Sequence, residues 1–221
     1  IIFCLLLSST LLAQHPKREL RGVWIATVQN IDWPSPRNYN AIKQQEEFLN
    51  ILNSHEQTGI NALFVQVRTA ADALYAKSDE PWSSYLSGLQ GQAPKPTYDP
   101  MAFMIQESHA RGIEFHAWLN MNRASMSTKN LLSGNHIVRQ HPEWMVIYNN
   151  QHLFNFGIPA VRHYITQVVK NIVQQYDVDG IHFDDYFYPY PIKGAHFNDD
   201  EAYAQHKLPN ESLADWRRRN I

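Results

Sequence analysis

Apolar residues along this chain occur in two kinds of segment that alternate with each other. Short runs rich in β-branched residues predict four strands, at residues 20–28, 60–68, 113–120 and 179–183. Longer stretches with apolar residues at helical spacing predict three helices between them, at residues 39–59, 99–112 and 159–176. Asp99 followed by Pro100 suits the start of a helix, and Gly59 suits the end of one. This alternation predicts parallel strands joined by helical crossovers.

Two α/β architectures fit that pattern, the doubly wound sheet and the (β/α)8 barrel. No glycine-rich phosphate turn follows the first strand, and the long aromatic-rich loops all follow the carboxyl ends of strands. Those ends form the active face of a barrel, so we predict a TIM-type (β/α)8 barrel. A complete barrel takes roughly 250 residues. The four predicted strands are therefore expected to be about the first four β/α units.

The connection between the third and fourth strands is long. Residues 121–158 read as mainly irregular, with a short helical piece near 135–144 and a hairpin at 145–156 that turns at Asn149 and Asn150. After the fourth strand, Ser212 is placed to cap another helix. Because that helix has no stop signal, we expect the chain to be a fragment at this end as well as at its start.

The first 13 residues resemble the hydrophobic part of a secretory signal, with a cleavage position after Ala13. The run is too short to cross a membrane. A lipoprotein anchor at Cys4 is the alternative, although the bulky Phe3 before it argues against one. We therefore expect residues 14–221 to form the mature barrel segment, exported to the periplasm or the cell surface.

Composition narrows the function further. A formal net charge of −2 over 221 residues gives no electrostatic basis for binding nucleic acid. Aromatics make up 12% of the chain, and rings on loops are a common means of holding neutral sugars. No HExxH or GxSxG motif occurs, so we predict neither a metal, a cofactor nor a serine nucleophile. Five histidines are expected on helix or loop surfaces: His109, His136, His141, His163 and His206.

The segment "VDGIHFDDYFYPYP" (178–191) carries the strongest chemical signal. Because side chains alternate along a strand, His182 and Asp184 share one face while Phe183 and Asp185 share the other. If the apolar side packs on helices, Asp184 points into the barrel mouth, where a carboxylate could act as a glycosidase nucleophile. Asp185 is the second candidate. The alternative is that both carboxylates only cap a helix or anchor a loop.

Further candidates for substrate binding follow the other predicted strands. Rings there could stack on sugars, and amides, imidazoles or charged groups could bind hydroxyls. Each also has a structural interpretation, such as an Arg–Asp pair that fastens a loop or a tryptophan packed in the core. The candidates are Asp32, Trp33, Arg68, Asp72, Tyr75, Trp82, His116, Trp118, Asn120, His182 and Tyr186.

With these residues in view, the chain resembles the glycosyl-hydrolase-like family 10. The matching segments include "RELRGVWIATVQNIDWPS" (18–35), "YDPMAFMIQESHARGIEFHAWLN" (98–120) and "VDGIHFDDYFYPYP". The resemblance implies a TIM-type barrel related to retaining glycosidases, with the nucleophile at Asp184, and links the chain to peptidoglycan strands stripped of their peptides. The chain departs from the family pattern at Met121 and Asn122, where a proline usually follows the asparagine, and before Asp72.

A retaining mechanism needs a second carboxyl about 5 Å from the first. By resemblance to related barrels, this acid is expected on a later strand, beyond Ile221; Asp32, Asp72 and Glu80 are the possible substitutes within the chain. We predict an exported glycoside hydrolase with a polysaccharide substrate. The main alternative is a glycan-binding protein without catalysis, and a metal-dependent polysaccharide deacetylase is a weaker one.

Overall fold

The computed structural model describes residues 19–221, which form seven strands and seven helices. The strands are β1 (Gly22–Ile25), β2 (Ala62–Arg68), β3 (Glu114–Leu119), β4 (Arg123–Ser125), β5 (Met145–Tyr148), β6 (Gln151–Phe154) and β7 (Gly180–Phe183). The helices are α1 (Ala41–Gln57), α2 (Ser84–Ser87), α3 (Pro100–His109), α4 (Ile137–Gln140), α5 (Pro159–Gln175), α6 (Asp200–His206) and α7 (Leu213–Arg219).

The main sheet confirms the predicted α/β fold with parallel strands. Its four strands lie in the order β1-β2-β3-β7, and each neighbouring pair is parallel. Helices α1, α3 and α5 belong to the three crossovers. A doubly wound sheet reverses its strand order at a switch point. The order found here follows the chain without reversal, as a barrel does, and closure into a barrel stays a prediction.

Local sequence signals explain where several helices begin. The Asp99 side chain accepts a hydrogen bond from the backbone N of Ala102 at 3.3 Å, and Ser212 accepts one from Asp215 N at 3.1 Å. Both predicted caps are thus confirmed. The first strand is shorter than predicted and ends at Ile25. A 3-10 turn over Val28–Asn30 follows it and takes the chain out of the sheet.

The two faces of the sheet differ in what covers them. One face carries the apolar residues that pack with α1, α3 and α5 in the main core, among them Ile25, Val65, Ala117 and Leu119. Residues of the other face include Trp24, Phe64, Gln66, His116, Trp118 and His182. Trp24 is 60% exposed although it is largely apolar. The second face therefore remains open within residues 19–221.

A second, antiparallel sheet has the order β4-β6-β5. Its β5–β6 hairpin was predicted, and it turns at Asn149 and Asn150, which adopt φ values of 49° and 58°. The strand β4 and the helices α2 and α6 were not predicted. β4 is only three residues long and pairs with β6 across a wide gap in sequence, so no local pattern marks it.

The predicted signal segment at residues 1–13 and Cys4 lie outside the described residues. Within residues 19–221, none of the helices has the length and apolar character needed to cross a membrane.

Candidate active site

Asp184 lies directly after β7 and is held by neighbours on three sides. The Asn120 Nδ2 donates to both carboxylate oxygens, at 3.1 and 3.0 Å, and Trp118 Nε1 donates to Oδ2 at 3.2 Å. The backbone N of Tyr186 donates to Oδ1 at 3.2 Å. The side chain is 18% exposed, so it remains accessible from one side. These contacts fix the carboxylate in one orientation at the carboxyl edge of the sheet.

The sheet register explains why these residues meet. β3 and β7 are parallel, with Trp118 opposite His182 and Leu119 opposite Phe183. The residues that follow these strands, Asn120 and Asp184, therefore stand at the same level. The predicted group of Trp118, Asn120, His182 and Asp184 is thus brought together by two strands that are adjacent in the sheet.

The two histidines of the open face lie below Asp184. The His182 Nε2 accepts a hydrogen bond from Trp24 Nε1 at 3.2 Å, and burial lowers the pKa of His182 despite the nearby Asp184 charge. His116 stacks on Phe64 with 4.7 Å between ring centroids. A side chain at Gly180 would collide with the His116 ring, so the glycine makes room for it. The imidazoles form the floor of the site.

Arg68 is fully buried and forms a structural network instead of a contact surface for substrate. Its Nε and Nη2 donate to the two oxygens of Glu80 at 2.7 and 2.6 Å, and its Nη1 donates to the backbone O of Asn120 at 2.6 Å. The Tyr164 hydroxyl also donates to Glu80, at 2.7 Å. The prediction that Arg68 binds a sugar is therefore corrected: it fixes the Asn120 backbone. Glu80, with both oxygens occupied, does not suit the role of acid.

Four other predicted contacts are core or loop residues. The Trp33 ring has 0% exposure and its Nε1 donates to Gln44 O at 2.8 Å, while Tyr75 is 2% exposed. Trp82 packs against the same core. Asp32 accepts a hydrogen bond from Ala26 N at 2.7 Å and closes the loop after β1. Burial in the core leaves Trp33 and Tyr75 no free face for a sugar, whereas Trp82 is only partly buried and its role in substrate binding stays a prediction.

Asp185 and Asp72 have separate environments. Asp185 is exposed and accepts a hydrogen bond from the Tyr190 hydroxyl. Asp72 is 4% exposed and accepts a hydrogen bond from Thr69 Oγ1 at 2.9 Å. Burial raises the pKa of Asp72 to about 6.

Two residues near the site differ from what the sequence indicated. Arg123, at the start of β4, was not identified, although it directly follows the segment that ends β3; its Nη2 lies 4.0 Å from Asp184 Oδ2. The guanidinium also lies over the Tyr186 ring, 5.4 Å from its centroid. His136 was expected on a surface but is fully buried. Burial lowers the pKa of His136 to about 4, so it is neutral at pH 7. In the described part of the chain, no three His, Cys, Asp or Glu side chains could jointly hold a metal ion.

A family comparison agrees with the resemblance found in the sequence. The family model described as "Glycosyl hydrolase-like 10" matches residues 19–221. The chain belongs to this family. It is 45% identical over 207 residues to "Glycosyl hydrolase YngK" of Bacillus subtilis, covering 92% of this chain and 40% of that protein. It is 36% identical to "Glycosyl hydrolase DigH" of Escherichia coli K12, covering 94% of this chain and 50% of that protein. The chain thus spans half or less of the length of these curated relatives.

Solved structures support the fold assignment. An alpha-L-fucosidase from Paenibacillus thiaminolyticus superposes with a TM-score of 0.53 at 13% identity, over 92% of this chain and 28% of the enzyme. A maltogenic alpha-amylase from Thermotoga neapolitana gives 0.50 at 14% identity, over 84% and 41%. Both are glycosidases with TIM-barrel-type folds. The family and these folds together support a glycosidase-like function.

Proposed function

We propose that residues 19–221 form the first half of a (β/α)8 barrel. The unreversed parallel strand order supports this, and so does the open face that carries the 60% exposed Trp24. Further strands closing the sheet would cover that face. The curated relatives, of which this chain covers 40% and 50%, are long enough to supply them.

On this proposal the protein is an exported glycoside hydrolase that acts on a bacterial polysaccharide. Peptidoglycan glycan strands are the substrate that the family resemblance favours. The observation that carries the proposal is the fixed orientation of Asp184, whose carboxylate accepts from Asn120, Trp118 and the backbone of Tyr186. Positioned side chains of this kind reduce the entropy cost of attack on a bound sugar.

In the proposed retaining reaction, a carboxylate oxygen of Asp184 attacks the anomeric carbon and forms a covalent glycosyl-enzyme. A carboxylic acid protonates the leaving glycosidic oxygen, then activates the water that releases the sugar. Asp32 and Glu80 are engaged in loop and core contacts, and Asp72 is nearly buried. We therefore assign the acid to a part of the protein outside residues 19–221.

The test measures hydrolysis of peptide-free glycan strands by the protein made from its complete gene. Asp184→Asn should lower turnover by at least about a thousandfold, equivalent to about 4 kcal/mol of transition-state stabilisation. Binding of the same strands should persist, because the amide is the same size as the carboxylate. The matched control is Asp185→Asn, which should keep its turnover because Asp185 is exposed and contacts Tyr190 instead of Asn120 and Trp118.

Three outcomes would contradict the proposal. A wild-type protein that binds the strands but never cleaves them would be the glycan-binding alternative. Turnover that persists in Asp184→Asn would place the nucleophile elsewhere. Release of acetate that stops when a chelator is added would instead indicate the deacetylase.

A further inference from the structure

Arg123 is a largely buried cation beside the candidate nucleophile. Its backbone N donates to Asn120 Oδ1 at 2.9 Å, so the amide that holds Asp184 also holds the start of β4. The Arg123 side chain is 18% exposed, and its Nη2 lies 4.0 Å from Asp184 Oδ2. That separation allows charge attraction but exceeds the length of a hydrogen bond.

The guanidinium leaves most of its hydrogen-bonding capacity unused. Among the described residues, its buried Nε has no partner, and its Nη1 has only the weak acceptor Met126 Sδ, at 3.7 Å. Burial is the main cause that lowers the pKa of Arg123, although an arginine remains charged at neutral pH. A buried cation without strong acceptors is costly. A ligand oxygen at the Nη groups would relieve that cost.

A small cleft of about 40 Å³ lies near this guanidinium, which does not itself line it. Its lining includes Met126, whose sulfur contacts Arg123, and Tyr85, whose phenol is influenced by the Arg123 charge. The cleft also presents hydroxyl and amide side chains together with aliphatic ones, including Ser84, Gln90, Asn130 and Leu132. Asp72 lines it as well, and the size of the cleft admits a polar substituent of a sugar unit but not the whole ring.

We infer that Arg123 binds a carboxylate on the substrate, so that the glycan is acidic at or beside the sugar held at Asp184. The inference rests on the proposed hydrolase function and names the chemistry that the site selects. A carboxylate matches the planar fork of a guanidinium and neutralises its charge, which a hydroxyl cannot do. A doubly charged group would be repelled more strongly by Asp184, only 4.0 Å from the cation.

The test compares kcat/KM on peptide-free glycan strands with kcat/KM on the same strands after their carboxyls are reduced to alcohols. The wild-type protein should prefer the acidic strands by about 10- to 100-fold, the range of a charge-assisted hydrogen bond. Arg123→Met should cleave both substrates at similar rates, with the loss on acidic strands mainly in KM. Arg123→Lys should keep part of the preference, since it keeps the charge without the fork.

The matched control is Arg111→Met. Arg111 is 19% exposed, close to the 18% of Arg123, but it is paired with Glu107 at the end of α3 and should not affect the preference. A purely structural role for Arg123 would lower the rate on both substrates equally and leave their ratio unchanged.

Failure of this inference differs from failure of the proposed function. If the wild-type protein cleaves both substrates equally, or Arg123→Met still prefers acidic strands, then Arg123 does not bind a substrate carboxylate. The proposed hydrolase function is unaffected by that result. If no strand is cleaved, the hydrolase is wrong. In that case the Kd values of the wild-type protein for the two kinds of strand test whether Arg123 binds a carboxylate, because such binding makes the acidic strands bind more tightly. The comparison of two substrates on the wild-type protein needs no variant to fold.

Discussion

Two arginine–carboxylate pairs flank Asn120, and they are built in opposite ways. Arg68 is fully buried, lies 2.6 Å from Glu80 and uses its donors on Glu80 and the Asn120 backbone. Arg123 lies 4.0 Å from Asp184, and its guanidinium has only a sulfur as hydrogen-bond partner in the described part of the chain. A satisfied pair holds a loop in place, whereas an unsatisfied pair beside a cleft is open to a ligand.

Breaking the satisfied pair should have the largest effect on stability. Glu80→Ala leaves the Arg68 cation buried without its carboxylate, which should lower the free energy of unfolding by about 3–5 kcal/mol. Urea unfolding measures this change. Glu114→Ala is the control, because the Glu114 side chain is 57% exposed and pairs, within the described part of the chain, with His116 alone. Equal, small losses in both variants would show that the Arg68–Glu80 pair contributes no more than a surface contact.

Asp72 extends the comparison because it is buried like Glu80 but has no cationic partner among residues 19–221. Burial raises its pKa to about 6, so between pH 4 and 6 the folded state holds its proton more tightly than the unfolded state. Protonated Asp72 therefore stabilises the folded state fully below the pKa that Asp72 has in the unfolded state, and this stabilisation is lost as the pH rises through 6. Asp72→Asn removes this dependence. The free energy of unfolding of the variant minus that of wild type should increase by on the order of 2 to 3 kcal/mol between pH 4 and pH 7.

Unfolding free energies of both proteins across that range measure the effect. Burial lowers the pKa of His136 to about 4, so acidification below pH 6.5 lowers the free energy of unfolding. His136 is present in both proteins, so this contribution cancels when their free energies are subtracted. A difference that stays constant from pH 4 to pH 7 would show that Asp72 titrates normally.

The unsatisfied pair should matter least for stability. Arg123→Met removes a cation with few partners and leaves the hydrogen bonds from Asn120 and Trp118 to Asp184 intact. We expect the free energy of unfolding to change by no more than about 1 kcal/mol. A loss as large as that of Glu80→Ala would mean that both arginines serve the fold, and the contrast between the pairs would disappear.

The order of elements and the place of Asp184 could be predicted because both follow from short-range periodicity. Alternation along a strand assigned His182 and Asp184 to one face, and parallel strands bring their carboxyl ends to one edge. The resemblance to the glycosyl-hydrolase-like family was confirmed over residues 19–221. The roles of site residues, the substrate and the cellular location stay predictions.

The misplaced residues lie in loops or depend on distant partners. Trp33 was a candidate for sugar stacking, with core packing as the alternative; it packs in the core, after the 3-10 turn over Val28–Asn30 that follows β1. Arg68 was a candidate for substrate binding or for fastening a loop to Asp72; its partner is instead Glu80, 12 residues later in a loop. Neither pairing leaves a periodic signal in the sequence.

The α/β fold with parallel strands and the group of polar residues at one edge could be predicted from sequence, because hydrophobic periodicity and strand direction are local properties. The family was recognisable from its residue motifs. Which arginine has its donors occupied, and which keeps donors available within residues 19–221, follows only from the three-dimensional packing. That choice depends on whether a carboxylate from a separate loop comes within 3 Å or stays at 4.0 Å, as it does between Arg123 and Asp184. Such distances are set by packing of the whole chain.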